Sequence, residues 1–160
     1  PEDVPSIVDI HCRVFPQDLS TMLGKRFLSR AFYLPLSKSK NNHFYLSEKN
    51  GQVLGFLLIS NAENFHFSHF FLHAPILTAS QLLKCLLCPS MFKMLFGTLF
   101  AIKKYKAPDS YQEIQFIAVH PEAQGQKTGS ALITRALKDL QKQDIKTCVV
   151  KTSAGDENAL

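Results

Sequence analysis

The stretch from Glu113 to Thr152 constrains the fold more than any other. Glu113 to Val119 (EIQFIAV) is a short apolar run of strand-forming residues, and His120 to Thr128 is rich in turn formers. From Gly129 to Gln143 the residues Leu132, Ile133, Ala136, Leu137 and Leu140 fall on one face of a helix, and Thr147 to Thr152 (TCVVKT) is again strand-like. Strand, helix and strand in that order predict a right-handed parallel crossover, because parallel strands can be joined only by a connection long enough to cross back over the sheet. The expected class is α/β, a mixed β-sheet flanked by helices.

Upstream, His43 to Ser47 and Val53 to Ser60 flank Glu48-Lys49-Asn50-Gly51-Gln52, whose Asn-Gly pair favours the positive φ angles of a tight turn. They predict an antiparallel hairpin. Before it, Ile7, Ile10, His11 and Val14 recur at helical spacing, with Pro5 in the first turn where a missing N–H costs nothing. This first helix is expected to end near Phe15-Pro16. A second is expected from Ser20 as N-cap, with Met22, Leu23, Phe27 and Ala31 on one face and Lys25, Arg26 and Arg30 outside, stopping before Pro35. From Asn64 to Lys106, Phe65, Phe67, Phe70, Phe71, Phe92, Phe96 and Phe100 stand among leucines over lengths that suit helices. The segment 64–106 therefore reads as a mostly helical insertion between the hairpin and the next strand, with Pro75, Pro89 and Gly97 as its expected breaks. With 160 residues, 46% of them hydrophobic and 19% charged, the chain can bury a substantial core, and one domain over 1–160 is expected.

A strand that feeds a glycine-containing loop and then a helix gathers unpaired N–H groups and the positive end of the helix dipole at one point, and such a point binds phosphate. The residues at this point, IAVHPEAQGQKTGSALI, resemble the acyl-CoA binding signature of the GNAT N-acetyltransferases, Q/R-x-x-G-x-G/A after a strand ending in A-V-x-P. Gln124 stands at the first position of the signature and Gly129 at the last. Lys127 stands where the family has its first fixed glycine. Ordinary turn or helical angles are expected of it, with its charge beside the phosphates, and Gly125 gives the same loop a flexible backbone. Further on, Asp156-Glu157-Asn158-Ala159-Leu160 is similar to the Asn-x-x-Ala segment that opens the family's next helix. The family's Phe-Tyr pair and last strands would follow, so the resemblance implies a domain cut short at its C-terminal end. It is strong from Glu113 to Leu160, fair over the first helices and the hairpin, and absent from the insertion.

This resemblance implies a site. Acetyl-CoA would lay its pyrophosphate on the amides of Gln124, Gly125, Gln126, Lys127, Thr128, Gly129 and Ser130, with Asn158 as a further contact. Its pantetheine would pair like an extra strand with Ile117, Ala118 and Val119, and a primary amine would attack the thioester directly, with the Ile117 N–H polarising the carbonyl. An alkylammonium is not nucleophilic until it loses a proton, and Glu113 is the implied general base, acting through an ordered water. Period-two alternation along the strand directs its side chain to the same cleft. His120 is the next candidate. A non-catalytic acyl-CoA-binding or interaction module on the same fold is the alternative.

Other features carry less. The net charge of +5 favours anionic partners in general, but no helix or stacking motif points to nucleic acid. Gly125-Gln126-Lys127-Thr128 superficially matches the end of a P-loop, which needs Gly directly before Lys and another five residues earlier, where Pro121 or its neighbours stand. Cys85 and Cys88 have CxxC spacing without a second pair, so both are expected as buried core thiols, and His66, His69 and His73 could share a helical face without a defined further ligand. No metal is expected. Four cysteines are too few for a disulfide framework, and no leader follows Pro1, so reduced thiols in a cytoplasmic protein are expected. Lys84, Lys93, Lys103, Lys104 and Lys106 interrupt an insertion too short and too charged to span a bilayer. They form either a solvated edge or a peripheral contact with an anionic membrane surface or lipid substrate. The amine acceptor (amino sugar, small amine, peptide N-terminus or protein lysine) and the oligomeric state are left open.

Overall fold

The computed structural model describes residues 2–61, 72–104 and 111–150. β1 (Asn42–Lys49) and β2 (Gln52–Asn61) form the expected hairpin, turning through Asn50 (φ 54°) and Gly51 (φ 78°), the pair of positive φ angles that an Asn-Gly turn supplies. β2 pairs antiparallel with β3 (Gln112–Val119), and β3 pairs parallel with β4 (Cys148–Val150). The result is a four-stranded mixed sheet in the order β1-β2-β3-β4, flanked by helices, as the α/β expectation requires. The expected continuation of β4 to Thr152 lies outside the described residues.

α1 (Val4–Val14) keeps Pro5 in its first turn and buries a stripe of Val4, Ile7, Val8, Ile10 and His11. α2 (Leu19–Met22) begins one residue before the expected cap, after an extended Asp18, because the Ser20 hydroxyl is turned to His11 and lies 3.0 Å from its Nε2. The next helical stretch does not stop before Pro35. α3 (Lys25–Phe27) widens into a π-helical segment (Leu28–Tyr33) and closes as α4 (Leu34–Lys38). In a regular α-helix the Pro35 ring would crowd the carbonyl of Ala31, and the wider turn ahead of it makes room.

Within the expected insertion, α5 (Pro75–Leu87) and α6 (Pro89–Lys104) are helices, and the chain bends by 111° between α5 and Pro89–Gly97. Both prolines open a helix, but α6 runs through Gly97, since one interior glycine costs only about 1 kcal/mol. Cys85 is buried, whereas Cys88 is half-exposed at the bend with its Sγ 3.2 Å from Ser90 Oγ, so one thiol of the pair is a core residue and the other is not. His66, His69 and the start of the insertion lie outside the described residues. α7 (Thr128–Lys142) starts one residue earlier than expected and buries Leu132, Ala136 and Leu140, whereas Leu137, expected on the same face, is exposed.

β2 holds the centre because it is apolar on both faces. Phe56 and Leu58 enter a cluster with Ile7 and Ile10 of α1 and with Leu28, Phe32 and Tyr33. Leu57 and Ile59 enter a second cluster, with Leu132, Ala136 and Leu140 of α7. Each such side chain taken from water contributes on the order of 2 kcal/mol, so a one-residue slip of β2 would exchange both sets and is strongly disfavoured.

His11 is fully buried on the α1 side of the sheet. Its Nδ1 lies 2.6 Å from Tyr33 Oη, and its ring sits against Phe15, Tyr33 and Phe116 with centroids 5.1, 5.6 and 5.0 Å away. Burial lowers its pKa from 6.5 to about 4, so the folded protein holds a neutral ring. The unfolded chain takes up a proton near pH 6.5 that the folded chain refuses until about pH 4, and stability is therefore full above this window and lost as pH falls through it. Urea unfolding should show a loss of about 3 kcal/mol between pH 7 and pH 4 from this group, with a clearly shallower slope in His11→Gln. Equal slopes in the two proteins would show that another group titrates.

Candidate functional site

β3 approaches the site with one residue more than its partner. Leu58 pairs with Phe116 and Ile59 with Ile114, which leaves Gln115 as a bulge. Ile114 packs on the α7 side of the sheet, but past the bulge Phe116 and Ala118 pack on the α1 side and Ile117 on the α7 side. Glu113 lies opposite Ser60 of β2 and Val149 of β4, and is only 5% exposed. The expected alternation, which would put Glu113 and Ile117 on one face, is thus broken. Glu113 shares the α1 face with Ser60, and Ile117 faces α7. The wholly buried Ser60 Oγ on this face, and Gln112 Oε1 of the preceding residue, have no hydrogen-bond partner among the described residues.

The chain leaves the sheet at His120, whose N–H donates to Leu54 O at 2.8 Å. His120 is buried, and its Nδ1 accepts from the Glu122 N–H at 3.4 Å, capping a single 3-10 turn, Pro121–Ala123. Side chains then stitch the loop to itself. Gln124 Nε2 donates to Val119 O at 3.2 Å, Gln126 Nε2 to Glu122 O at 2.9 Å, and Thr128 Oγ1 to Ala123 O at 3.3 Å. Gly125 (φ 74°) and Lys127 (φ 62°, ψ 13°) adopt left-handed backbone angles. This corrects the expectation of ordinary angles at Lys127. The turn into α7 needs a positive φ there, which costs an L residue about 1 kcal/mol and a glycine almost nothing.

The first hydrogen bond of α7 runs from Ala131 N to Lys127 O at 2.9 Å, so the amides of Thr128, Gly129 and Ser130 have no partner inside the helix. No acidic residue occupies its first turn. Val119, Ala123, Gln124, Gly125, Lys127, Thr128, Gly129 and Ser130 line a cavity of about 370 Å³ at this helix start. The structure thus brings together most of the expected loop residues. Gln126 does not line the cavity, being exposed and tied to Glu122. Ile117 and Ala118 reach it only along the strand, with their side chains in the two cores. Asn158 lies outside the described residues. Ala123 was missed, although a buried apolar residue within an otherwise polar loop was a legible cue.

Two glycines fit α7 to the sheet. A Cβ on Gly55 would stand 3.0 Å from Ala118 O and 3.4 Å from Leu132 Cδ1 and Thr128 Cγ2, so any side chain here would have to displace the β3 backbone by a few tenths of an ångström. A Cβ on Gly129 would meet Val119 Cγ2 at 3.6 Å and Ile117 Cδ1 at 3.9 Å, which are ordinary contacts. Gly129 therefore faces the strand, and its role is the seating of the helix. The site as a whole offers a helix dipole, three amides and the Lys127 cation, a donor set that suits the oxygens of a pyrophosphate. A second hollow of about 430 Å³, between β1 and the far end of α7, is lined by residues including Tyr45, Asp139 and Lys142. It adjoins the carbonyl end of the helix dipole, which disfavours anions.

A model of the acetyltransferase (GNAT) family matches residues 92–160. No curated protein matches the chain. Solved structures of similar fold include the ribosomal-protein-S18-alanine N-acetyltransferase from Escherichia coli, at 14% identity and a TM-score of 0.57, with 99% of this chain aligned to 66% of that one. An aminoglycoside antibiotic 6'-N-acetyltransferase from Acinetobacter haemolyticus matches at 8% identity and TM-score 0.58, over 99% of this chain and 79% of that one. A GNAT family acetyltransferase from Brucella melitensis, solved in complex with acetyl-CoA, matches at 17% identity and TM-score 0.55, over 99% and 75%. The chain thus spans about two thirds to four fifths of the length of these structures.

Relief of the strain at Lys127 is measurable. Lys127→Gly should raise the thermal midpoint by roughly 3 °C, the equivalent of about 1 kcal/mol. A midpoint that stays level or falls would show that contacts of the lysine side chain outweigh the backbone cost.

Proposed function

From a chain that has the GNAT fold and matches the GNAT acetyltransferase family over residues 92–160, we propose an N-acetyltransferase that moves an acetyl group from acetyl-CoA to a primary amine by direct attack in a ternary complex. The observation that carries this reading is the cavity at the start of α7, where unpaired amides, a helix dipole and Lys127 converge next to the end of β3. Acetyl-CoA supplies an activated thioester. The amides of Thr128, Gly129 and Ser130, with Lys127, hold the pyrophosphate by charge-assisted hydrogen bonds. Gln124 and Thr128 keep the loop in shape through their bonds to Val119 and Ala123. β3 then runs roughly 20 Å from Val119 back to Glu113, so a long extended arm laid along it from the loop ends near that carboxylate.

In this reading Glu113 accepts the proton of the incoming ammonium through a water, and the Ile117 N–H polarises the thioester carbonyl. Glu113 suits this role because its carboxylate is nearly water-free on the face that also carries the wholly buried Ser60 Oγ, an atom that an ordered water would satisfy. His120 is less suited, since its Nδ1 is engaged by the Glu122 amide. The acceptor class is an amine, and two of the similar structures are enzymes named for amine substrates of different kinds, a ribosomal protein and aminoglycosides.

Two measurements test the reading. Isothermal calorimetry should show CoA binding that weakens roughly tenfold in Lys127→Glu, which sets a negative charge at the phosphates; unchanged affinity would place the ligand elsewhere. In steady-state acetylation of an amine panel, Glu113→Gln should lower kcat by about a hundredfold and flatten its rise with pH, while CoA affinity is retained. A kcat and pH profile equal to the parental ones would remove Glu113 from the chemistry. CoA binding without turnover on any amine would favour the non-catalytic module.

A further inference from the structure

The pair α5 and α6 is packed inside out. α5 turns Thr78, Gln81 and Cys85 toward the protein, each no more than 8% exposed, and turns Ile76 (86% exposed), Leu83, Leu86 and Leu87 (76% exposed) to solvent. Ile76, Leu83 and Leu87 fall within about 40° of one another around the helix axis and so form one stripe. On α6 Met91 is buried, while Phe92 and Phe96 are exposed and stacked, with centroids 6.0 Å apart and planes at 21°. A helix that completes a globular core shows the opposite arrangement, and a contiguous exposed apolar surface of this kind marks a contact face.

The charge of the segment selects the partner. No Asp or Glu occurs between Glu63 and Asp109, where Lys84, Lys93, Lys103, Lys104 and Lys106 all lie. Elsewhere in the chain thirteen basic residues balance thirteen acidic ones, so this one segment holds the whole formal net charge of +5. Lys84 and Lys93 are exposed beside the leucine stripe and the phenylalanine stack. A second copy of the same face would oppose like charge to like charge, which disfavours self-association through it. A partner with an anionic surface over an apolar interior matches both properties. Among the described residues no single helix is long and apolar enough to cross a membrane, and the apolar unit is the pair bent by 111°. Such a bent pair is suited to lie within one interface.

We propose that α5 and α6 dock this protein on an anionic lipid surface, with Ile76, Leu83, Leu87, Phe92 and Phe96 at the acyl boundary and Lys84 and Lys93 among the headgroup phosphates. The docking does not depend on acyl transfer. The test is co-sedimentation of the full chain with phosphatidylcholine vesicles, with and without phosphatidylglycerol. The chain should be retained only by the anionic vesicles and released by high salt. Lys84→Gln with Lys93→Gln should weaken retention about fivefold per lysine, and Leu83→Gln with Leu87→Gln more than tenfold. All four positions are exposed, so melting midpoints should match that of the parent and exclude misfolding as the cause. Failure of the parent to bind anionic vesicles at low salt would overturn the proposal, as would retention unchanged in both variants. Light scattering without lipid provides the remaining arm. A concentration-dependent oligomer that the leucine variant disperses would show that the face serves a protein contact, and would likewise overturn it.

Discussion

Most of this architecture depends on one extra residue in β3. If Gln115 were paired as an ordinary strand residue, the strand would present Ile114, Phe116 and Ala118 to the same side of the sheet. With the bulge, Ile114 completes the cluster under α7 while Phe116 and Ala118 complete the one under α1. The bulge sets the phase between the two halves of β3, so that Glu113 lies against Ser60 on the α1 face while Ile117 faces α7. Pairing Gln115 in regular register would exchange the faces of every residue on one side of it, at a cost of several buried side chains.

The loop that follows is stiffened by its own side chains. Two glutamine amides and one threonine hydroxyl bond to backbone carbonyls within five residues, which leaves the amides at the start of α7 available to a ligand. The strain at Lys127 is set against this background. The position requires a left-handed backbone, and a lysine there gives up about 1 kcal/mol of stability relative to glycine while it adds a cation where the helix dipole is already positive. In the proposed reading an anion at this spot turns the added repulsion into an attraction.

What the sequence disclosed follows from how local each signal is. The Asn50-Gly51 turn, the apolar stripe of α7 and the loop between Val119 and Thr128 depend on near neighbours, and all were legible. The class of the fold followed from them. The bulge at Gln115 was not legible, because nothing in EIQFIAV distinguishes an unpaired glutamine from a paired one until β2 is laid beside it. The π-helical segment was hidden for a similar reason. Pro35 signals a stop unless Phe32, Tyr33 and Leu36 have a core to enter, and that core is built by α1 and β2. Ser20 looked like a cap because its better use, the His11 ring, lies nine residues back and is visible only when α1 and α2 meet. The positive φ of Lys127 could have been read from the family pattern itself, since a fixed glycine in a tight turn usually marks a backbone angle rather than a need for space.

The insertion stands apart from this economy of shared cores. Among the described residues, the cluster on the α7 side includes none from α5 or α6, and the one on the α1 side includes from that region the partly buried Ala74 and Leu77 at its edge. The exposed Ile76, Leu83, Leu86, Leu87, Phe92 and Phe96 therefore lie outside both clusters. If those residues served only to pack, selection for burial would turn them inward and leave Thr78 and Gln81 outside, the arrangement α1 and α7 adopt with the same physical forces. The reversed arrangement keeps apolar side chains in water at a cost of about 1 to 2 kcal/mol each relative to burial, and it keeps acidic residues out of the same stretch. Both features are what the proposed anionic lipid surface, charged outside and apolar within, would favour.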